Sequence, residues 1–207
     1  MSIPITYRGS ITREQWLVNE TRVVARLILD EHLESESELT AHVLSNNPFQ
    51  YPTEREVKSI ARACARRINA VSNGPSVRPR ILNLIAHGTS DQLKQANLYA
   101  MMCDNRIVWE FMTNLIAPKF QALDTALAKH EIAAFLEGLR AQDERVATWS
   151  PATLNKIRQV LSMCLEQCDM YNRKTEELNP PLLDYDLEQI IRANSDEAAL
   201  SAFGVSQ

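Results

Sequence analysis

Four cations, Arg55, Lys58, Arg62 and Arg66, recur at intervals of three and four residues in a stretch opened by Thr53. At about 100° per residue they fall within an arc of roughly 80° on one helix face. Guanidinium and ammonium groups in such a row are ligands for phosphate, and guanidinium also reads base edges. Asn69 and Asn73 prolong the face, Arg67 flanks it, and Arg78 and Arg80 follow the turn after it. Val57, Ile60, Ala61, Cys64, Ile68 and Val71 gather on the opposite side, which gives the helix a burial face. The acids of this helix, Glu54 and Glu56, sit in its first turn, off the stripe, where they favour the helix dipole. A solvated helix face is also rich in Lys and Arg; the absence of acids within the stripe is what favours phosphate as its ligand.

A second candidate follows Ser150-Pro151. Leu154, Ile157, Leu161, Cys164, Leu165 and Cys168 bury one side of that helix, while Asn155 and Gln159 offer neutral donors and acceptors to a base edge. Lys156 and Arg158 do not share an exposed face, so the stripe argument does not extend here, and an ordinary helical hairpin is the simpler reading. Arg173 and Lys174 lie in the segment after it, placed to touch phosphates in the manner of a wing. Catalytic patterns are missing. His32, His42, His87 and His130 are scattered and form no nucleophile–base pattern. There is no glycine-rich phosphate loop, and no HExxH or EF-hand spacing. Cys64, Cys103, Cys164 and Cys168 form no CxxC pair and sit among apolar residues, so they read as small buried hydrophobes. No enzyme activity, cofactor, metal or small-molecule substrate is expected.

These residues must be positioned by helices. Thr12 with Gln15, and Thr53 with Glu56, have capping-box spacing, and Ser150 followed by Pro151 is a strong helix start. The apolar periodicity predicts a first helix running to about residue 32, then helices near 36–45, 53–71, 79–86, 90–102, 106–116, 118–128, 130–140, 151–167, 187–193 and 196–203. Pro118 is expected to separate two of them, 143–148 to be a polar loop, and 170–183 to be irregular or weakly extended. A short helix, a turn and a second helix occur in this reading at 36–71 and again at 130–168. The first turn, residues 46–52, is longer than the tightest helix-turn-helix connections. The expected fold is an all-α, compact multi-helix globule with two candidate helix-turn-helix-like units. Residues 1–74 carry the first unit; residues 75–207 hold the helical core and the second.

Composition agrees with that class. The chain has 207 residues, 45% of them hydrophobic and 23% charged, with only 5 glycines and 6% aromatics. A net charge of −4 and a pI near 5.6 argue against binding nucleic acid through overall charge; a concentrated basic surface is required. No signal-like apolar core or membrane-spanning run is present, so the cytoplasm is the expected location.

Several short stretches together resemble the BrxA family, the small core proteins of bacteriophage exclusion (BREX) systems. They are Tyr7-Arg8-Gly9-Ser10-Ile11-Thr12, Arg66-Arg67-Ile68-Asn69, Trp149-Ser150-Pro151-Ala152-Thr153 and Asn179-Pro180-Pro181-Leu182. The resemblance implies an all-helical protein with helix-turn-helix-like units and a positive surface, binding double-stranded DNA beside other BREX proteins, a methyltransferase among them. It also brings an alternative, an RNA-binding module, because the family has been likened to the RNA-binding factor NusB. A further alternative, a protein-interaction adaptor, fits the acidic net charge and the stretch Glu34 to Glu38, which offer a face to a basic partner. Cys168-Asp169-Met170 stands where the resemblance leads one to expect a glycine-and-apolar turn.

Overall fold

The computed structural model describes residues 6–72 and 74–205. Helices follow one another as α1 (Ile11–Glu14), α2 (Val18–Asp30), α3 (Glu36–Asn46), α4 (Glu54–Val71), α5 (Arg78–His87), α6 (Ser90–Asp104) and α7 (Arg106–Glu110). A π-helical segment, Phe111–Ile116, joins α7 to α8 (Ala117–Gln121); then come α9 (Lys129–Gln142), α10 (Glu144–Ala147) and α11 (Pro151–Gln167). A hairpin of β1 (Tyr171–Asn172) and β2 (Glu177–Leu178) precedes α12 (Tyr185–Ala193) and α13 (Glu197–Ala202). The fold is therefore all-α apart from that pair of two-residue strands, as the helix-forming composition implies.

Thr53 and Ser150 open α4 and α11 as their spacing predicts. Thr12, by contrast, forms no capping box: it lies inside α1, which follows Ser10 without a side-chain cap, and its hydroxyl donates to Gly9 O at 2.9 Å. Ser35, Thr53, Asn105, Asp143, Ser150 and Asp184 each accept a backbone N–H of the first turn, which satisfies a donor the helix cannot.

Five departures have physical causes. The first helix is not continuous: Gln15 and Leu17 take positive φ angles of 32° and 44°, which ends α1 after one turn and buries Trp16 before α2 begins. Pro118 does not break its helix. The preceding turn widens, with the Ala117 N–H bonding Met112 O five residues back, and Pro118 enters in the first turn of α8. That helix then ends at Gln121, well before residue 128, and Ala126 instead bridges to Glu177. Residues 143–148 are not all loop, because Asp143 caps the short α10. Lastly, the segment after α11 is an ordered hairpin, with Tyr171 opposite Leu178 and Asn172 opposite Glu177.

The chain divides into two compact units. One comprises Leu17–Asp104 and Asp184–Asn194; the other comprises the chain up to Trp16, Asn105–Leu183, and the residues from Ser195 onward. Gly74, beside which a boundary was expected, lies inside the first of these.

In that first unit α2 packs on α4 and α5, α4 also on α3 and α6, and α12 on α5 and α6. Val24, Ile28, Val43, Ile68, Val71, Ile81, Ile85, Leu98 and Ile190 are buried there. Each such side chain contributes about 1.5–3 kcal/mol of transfer free energy. Arg22 and Arg26 reach from α2 to the carbonyls at the end of α5, donating to Gly88 O (2.6 Å) and Ala86 O (2.9 Å). Cations there complement the negative end of the helix dipole.

In the second unit α11 packs on α1 and α9, and α13 on α8 and the π segment. A Cβ on Gly9 would meet the Trp149 ring at 3.6 Å, so the N-terminal stretch lies along the start of α11. Tyr7 donates to Glu110 (2.7 Å) beneath the Arg106 guanidinium, 4.2 Å from its ring; burial and the Glu110 carboxylate push its pKa up to about 12. Gly204 closes α13 at φ 78°, where a Cβ would come within 2.7 Å of Pro180. All four cysteines are buried. No helix among the described residues is long and apolar enough to cross a membrane.

Candidate nucleic-acid interface

α4 carries the first set of candidate residues. Thr53 accepts the Glu56 N–H (3.2 Å) and returns its hydroxyl to the Glu56 carboxylate (2.8 Å), which holds the first turn and that acid away from the stripe. Val57, Ala61, Cys64, Ile68 and Val71 are buried, while Arg55, Lys58, Arg62 and Asn69 are exposed on the opposite face. The cations there differ in what holds them. Arg55 and Lys58 have no ion-pair partner among the described residues. Arg62 pairs with Glu36 of α3 at 2.6 Å, where both side chains are about half exposed or more. Such a pair is worth only about 0–1 kcal/mol, so a phosphate can replace the carboxylate at little cost.

Arg66 is committed elsewhere. Its Nε and Nη2 donate to both carboxylate oxygens of Asp104 at 2.9 and 3.0 Å, and Asp104 is only 4% exposed. Releasing Arg66 to a ligand would strand a buried charge. Arg67 is 2% exposed, so it is packed inside and takes no place on the surface. It lies about 100° around the helix from Arg66, which carries it off the stripe. Asn69 accepts a long hydrogen bond from Arg78 (3.4 Å), Arg78 is half-buried, and Arg80 is exposed. Asn73 lies outside the described residues. What the stripe argument missed was its counter-charges: Glu36 and Asp104 are remote in sequence from Arg62 and Arg66, and no spacing rule connects them.

The second set sits on α11 and the hairpin. Ser150 accepts the Thr153 N–H at 3.1 Å, and Leu154, Ile157, Leu161 and Leu165 are buried beneath. Asn155 and Gln159 are exposed one turn apart, with Lys156 half-exposed beside them. Arg158 donates to Asn155 Oδ1 at 2.7 Å, a contact its i+3 spacing permits. Arg173 and Lys174 lie in the turn of the hairpin, both exposed. Arg173 pairs with Glu166 of α11 at 2.6 Å, and Asn172 Oδ1 accepts the Lys174 N–H at 3.0 Å.

A buried cation supports the segment leading into α9. Lys119 Nζ lies 2.8 Å from both Asp124 and Glu131. Burial disfavours the Lys119 charge, but the hydrogen bonds to the two carboxylates outweigh it and raise the pKa. The hydrogen bond from Lys119 holds Asp124 below its ordinary range. Burial pushes Glu131 up, yet Lys119 and the Ala128 N–H together hold it below as well. Among the described residues no three His, Cys, Asp or Glu side chains converge as metal ligands would.

By fold and surface the chain is a predominantly α-helical protein with basic and amide-bearing helix faces exposed. A solved structure, an uncharacterized protein from Magnetospirillum magneticum, shares the fold with a TM-score of 0.80; 97% of this chain and 99% of that one are covered at 17% identity. The BrxA family model matches residues 5–195, and the chain belongs to the BrxA family. A curated relative, "BREX protein BrxA" of Bacillus cereus (strain H3081.97), is 29% identical over 192 residues, which are 92% of each chain.

Proposed function

We propose that this protein is a non-enzymatic, double-stranded-DNA-binding member of a BREX phage-defence system, with the α4 face seated on the phosphate backbone. Membership of the BrxA family makes it a BREX component. What supports duplex binding is one observation: Arg55, Lys58 and Arg62 stand exposed along one face of α4, with no acid within that face and two of them unpaired among the described residues. α3, the connection 47–53 and α4 then act as a helix-turn-helix-like unit, α4 docking its apolar side on the protein and its cations on DNA. Asn69, Arg78 and Arg80 extend the contact; Arg66 and Arg67 belong to the scaffold. Docking on other BREX proteins is compatible with this surface.

Single-stranded RNA is disfavoured by the aromatics. Stacking platforms need exposed rings, and among the described residues the large hydrophobic side chains standing well exposed are Leu123, Leu182 and Tyr185, of which one is aromatic. The test is a competition of labelled duplex DNA against single-stranded DNA and duplex RNA, repeated over a salt series. Duplex DNA is expected to be bound best, with log K falling against log salt at a slope of about −3 or steeper, Arg55, Lys58 and Arg62 alone accounting for about −3. Preference for RNA, or binding indifferent to salt, would contradict the reading.

A further inference from the structure

We infer that α11 and the β1–β2 hairpin form a sequence-reading site for duplex DNA, in which the amides of Asn155 and Gln159 read adenine in the major groove and Lys174 grips the neighbouring backbone. This rests on the duplex-DNA reading above and adds to it a base preference and the residues that set it.

Rigidity is the first support. The hairpin is tied on two sides. The Leu127 N–H donates to Glu176 O (2.8 Å) and the Leu178 N–H to Thr125 O (2.6 Å), so the strand-like segment before α9 pairs with the hairpin that follows α11. On the other side the Met170 N–H bonds Leu165 O (2.9 Å), and Arg173 bridges to Glu166 of α11. Asn172 Oδ1 takes the N–H groups of Lys174 and Thr175, which fixes the turn. Helix and hairpin are therefore held at a fixed spacing, and sequence reading depends on such spacing. At 17 residues α11 is about 25 Å long, enough to lie across a major groove.

The chemistry of the face is the second. Ala152, Asn155 and Gln159 are exposed within one arc, Lys156 lies at its edge, and no acid occurs in α11 before Glu166. Arg and Lys favour guanine, whose major-groove edge offers acceptors alone. Adenine offers an acceptor at N7 and a donor at N6, and an amide matches both at once. The centre of this face holds two amides one turn apart. Arg158, bonded to Asn155 Oδ1, turns that amide so that both Nδ2 hydrogens and one oxygen lone pair remain for a base. α4 presents the opposite chemistry, with exposed cations suited to phosphate, so grip and reading fall to different helices.

The test is a binding selection with the full chain on a duplex library randomised over about one helical turn, followed by titration of the enriched sequence and of scrambled duplex. The variants are Asn155→Ala/Gln159→Ala and, separately, Lys174→Ala; all three positions are exposed, and circular dichroism checks folding. Wild type should enrich adenine-containing sites, with roughly 5- to 150-fold weaker binding when a contacted A·T pair is replaced. The amide double variant should lose that preference, binding the enriched site and scrambled duplex alike. Lys174→Ala should weaken every sequence alike and lessen the salt slope by about one. Wild-type binding without enrichment, or enrichment that survives the double variant, would overturn the base-reading site and leave duplex binding intact. Failure of wild type to bind scrambled duplex at low salt would overturn both.

Discussion

Arg62 and Arg66 differ by one helical turn and would be equivalent on a helical wheel, yet their acids assign them different tasks. Glu36 holds Arg62 through an exposed pair, and Asp104 holds Arg66 from a buried position. Glu36→Gln is therefore expected to leave stability within about 0.5 kcal/mol of wild type and to tighten duplex-DNA binding severalfold, because Arg62 no longer has an intramolecular competitor. Arg66→Ala is expected to destabilise the fold by about 1–3 kcal/mol through the stranded Asp104 carboxylate. Urea denaturation and anisotropy titration of the two variants separate these roles; a stable Arg66→Ala variant that has lost DNA binding would reverse the assignment. The identity and spacing of the α4 cations were legible in the residues, and so was their opposition to an apolar face. Their pairing was not, because Glu36 and Asp104 approach only through packing of α3 and α6 on α4.

Elements were legible where a side chain announces them. Thr53 and Ser150 mark α4 and α11 because each satisfies an orphan N–H of the first turn. The break at Gln15–Leu17 has no such mark, since neither residue favours positive φ. The hairpin lacks the Asn-Gly signal of a tight turn; Asn172 makes its turn through its side chain, and Glu176 takes φ 59°. Helix α9 and the segment before it depend on Lys119 in a way that pH should reveal. Asp124 and Glu131, held below their ordinary values of 3.8 and 4.5, contribute stability above those values and lose it as pH falls through the depressed ones. Lys119, raised from 10.5, contributes below that value and loses it as pH climbs through the raised one. Amide hydrogen exchange over residues 122–131, corrected for intrinsic rates, should therefore be well protected at pH 7 and lose protection only as pH falls below the ordinary carboxylate range. Lys119→Met should remove most of that protection at pH 7. Protection unchanged by either would show that packing, not this cluster, orders the segment.

At the scale of the whole molecule a net charge of −4 and a phosphate-binding role are compatible only if positive charge is local. α4 meets that condition with Arg55 and Lys58 unpaired among the described residues and Arg62 loosely held, while Arg26, Arg173 and Arg192 are held by a carbonyl or by acids. The division of the chain was beyond the reach of periodicity. The 1–74 and 75–207 partition follows a turn at Gly74, whereas the two compact units exchange chain at Trp16, at Asp104, and on either side of α12. Helical spacing reports which face is buried and carries no information about which helix covers it. The most direct test of the central claim is titration of labelled duplex DNA with wild type and with an Arg55→Glu/Lys58→Glu/Arg62→Glu variant, at two salt concentrations, with folding checked by circular dichroism. The α4 assignment predicts salt-sensitive binding by wild type and a loss of at least tenfold in the folded variant. Equal binding by the two proteins would contradict it.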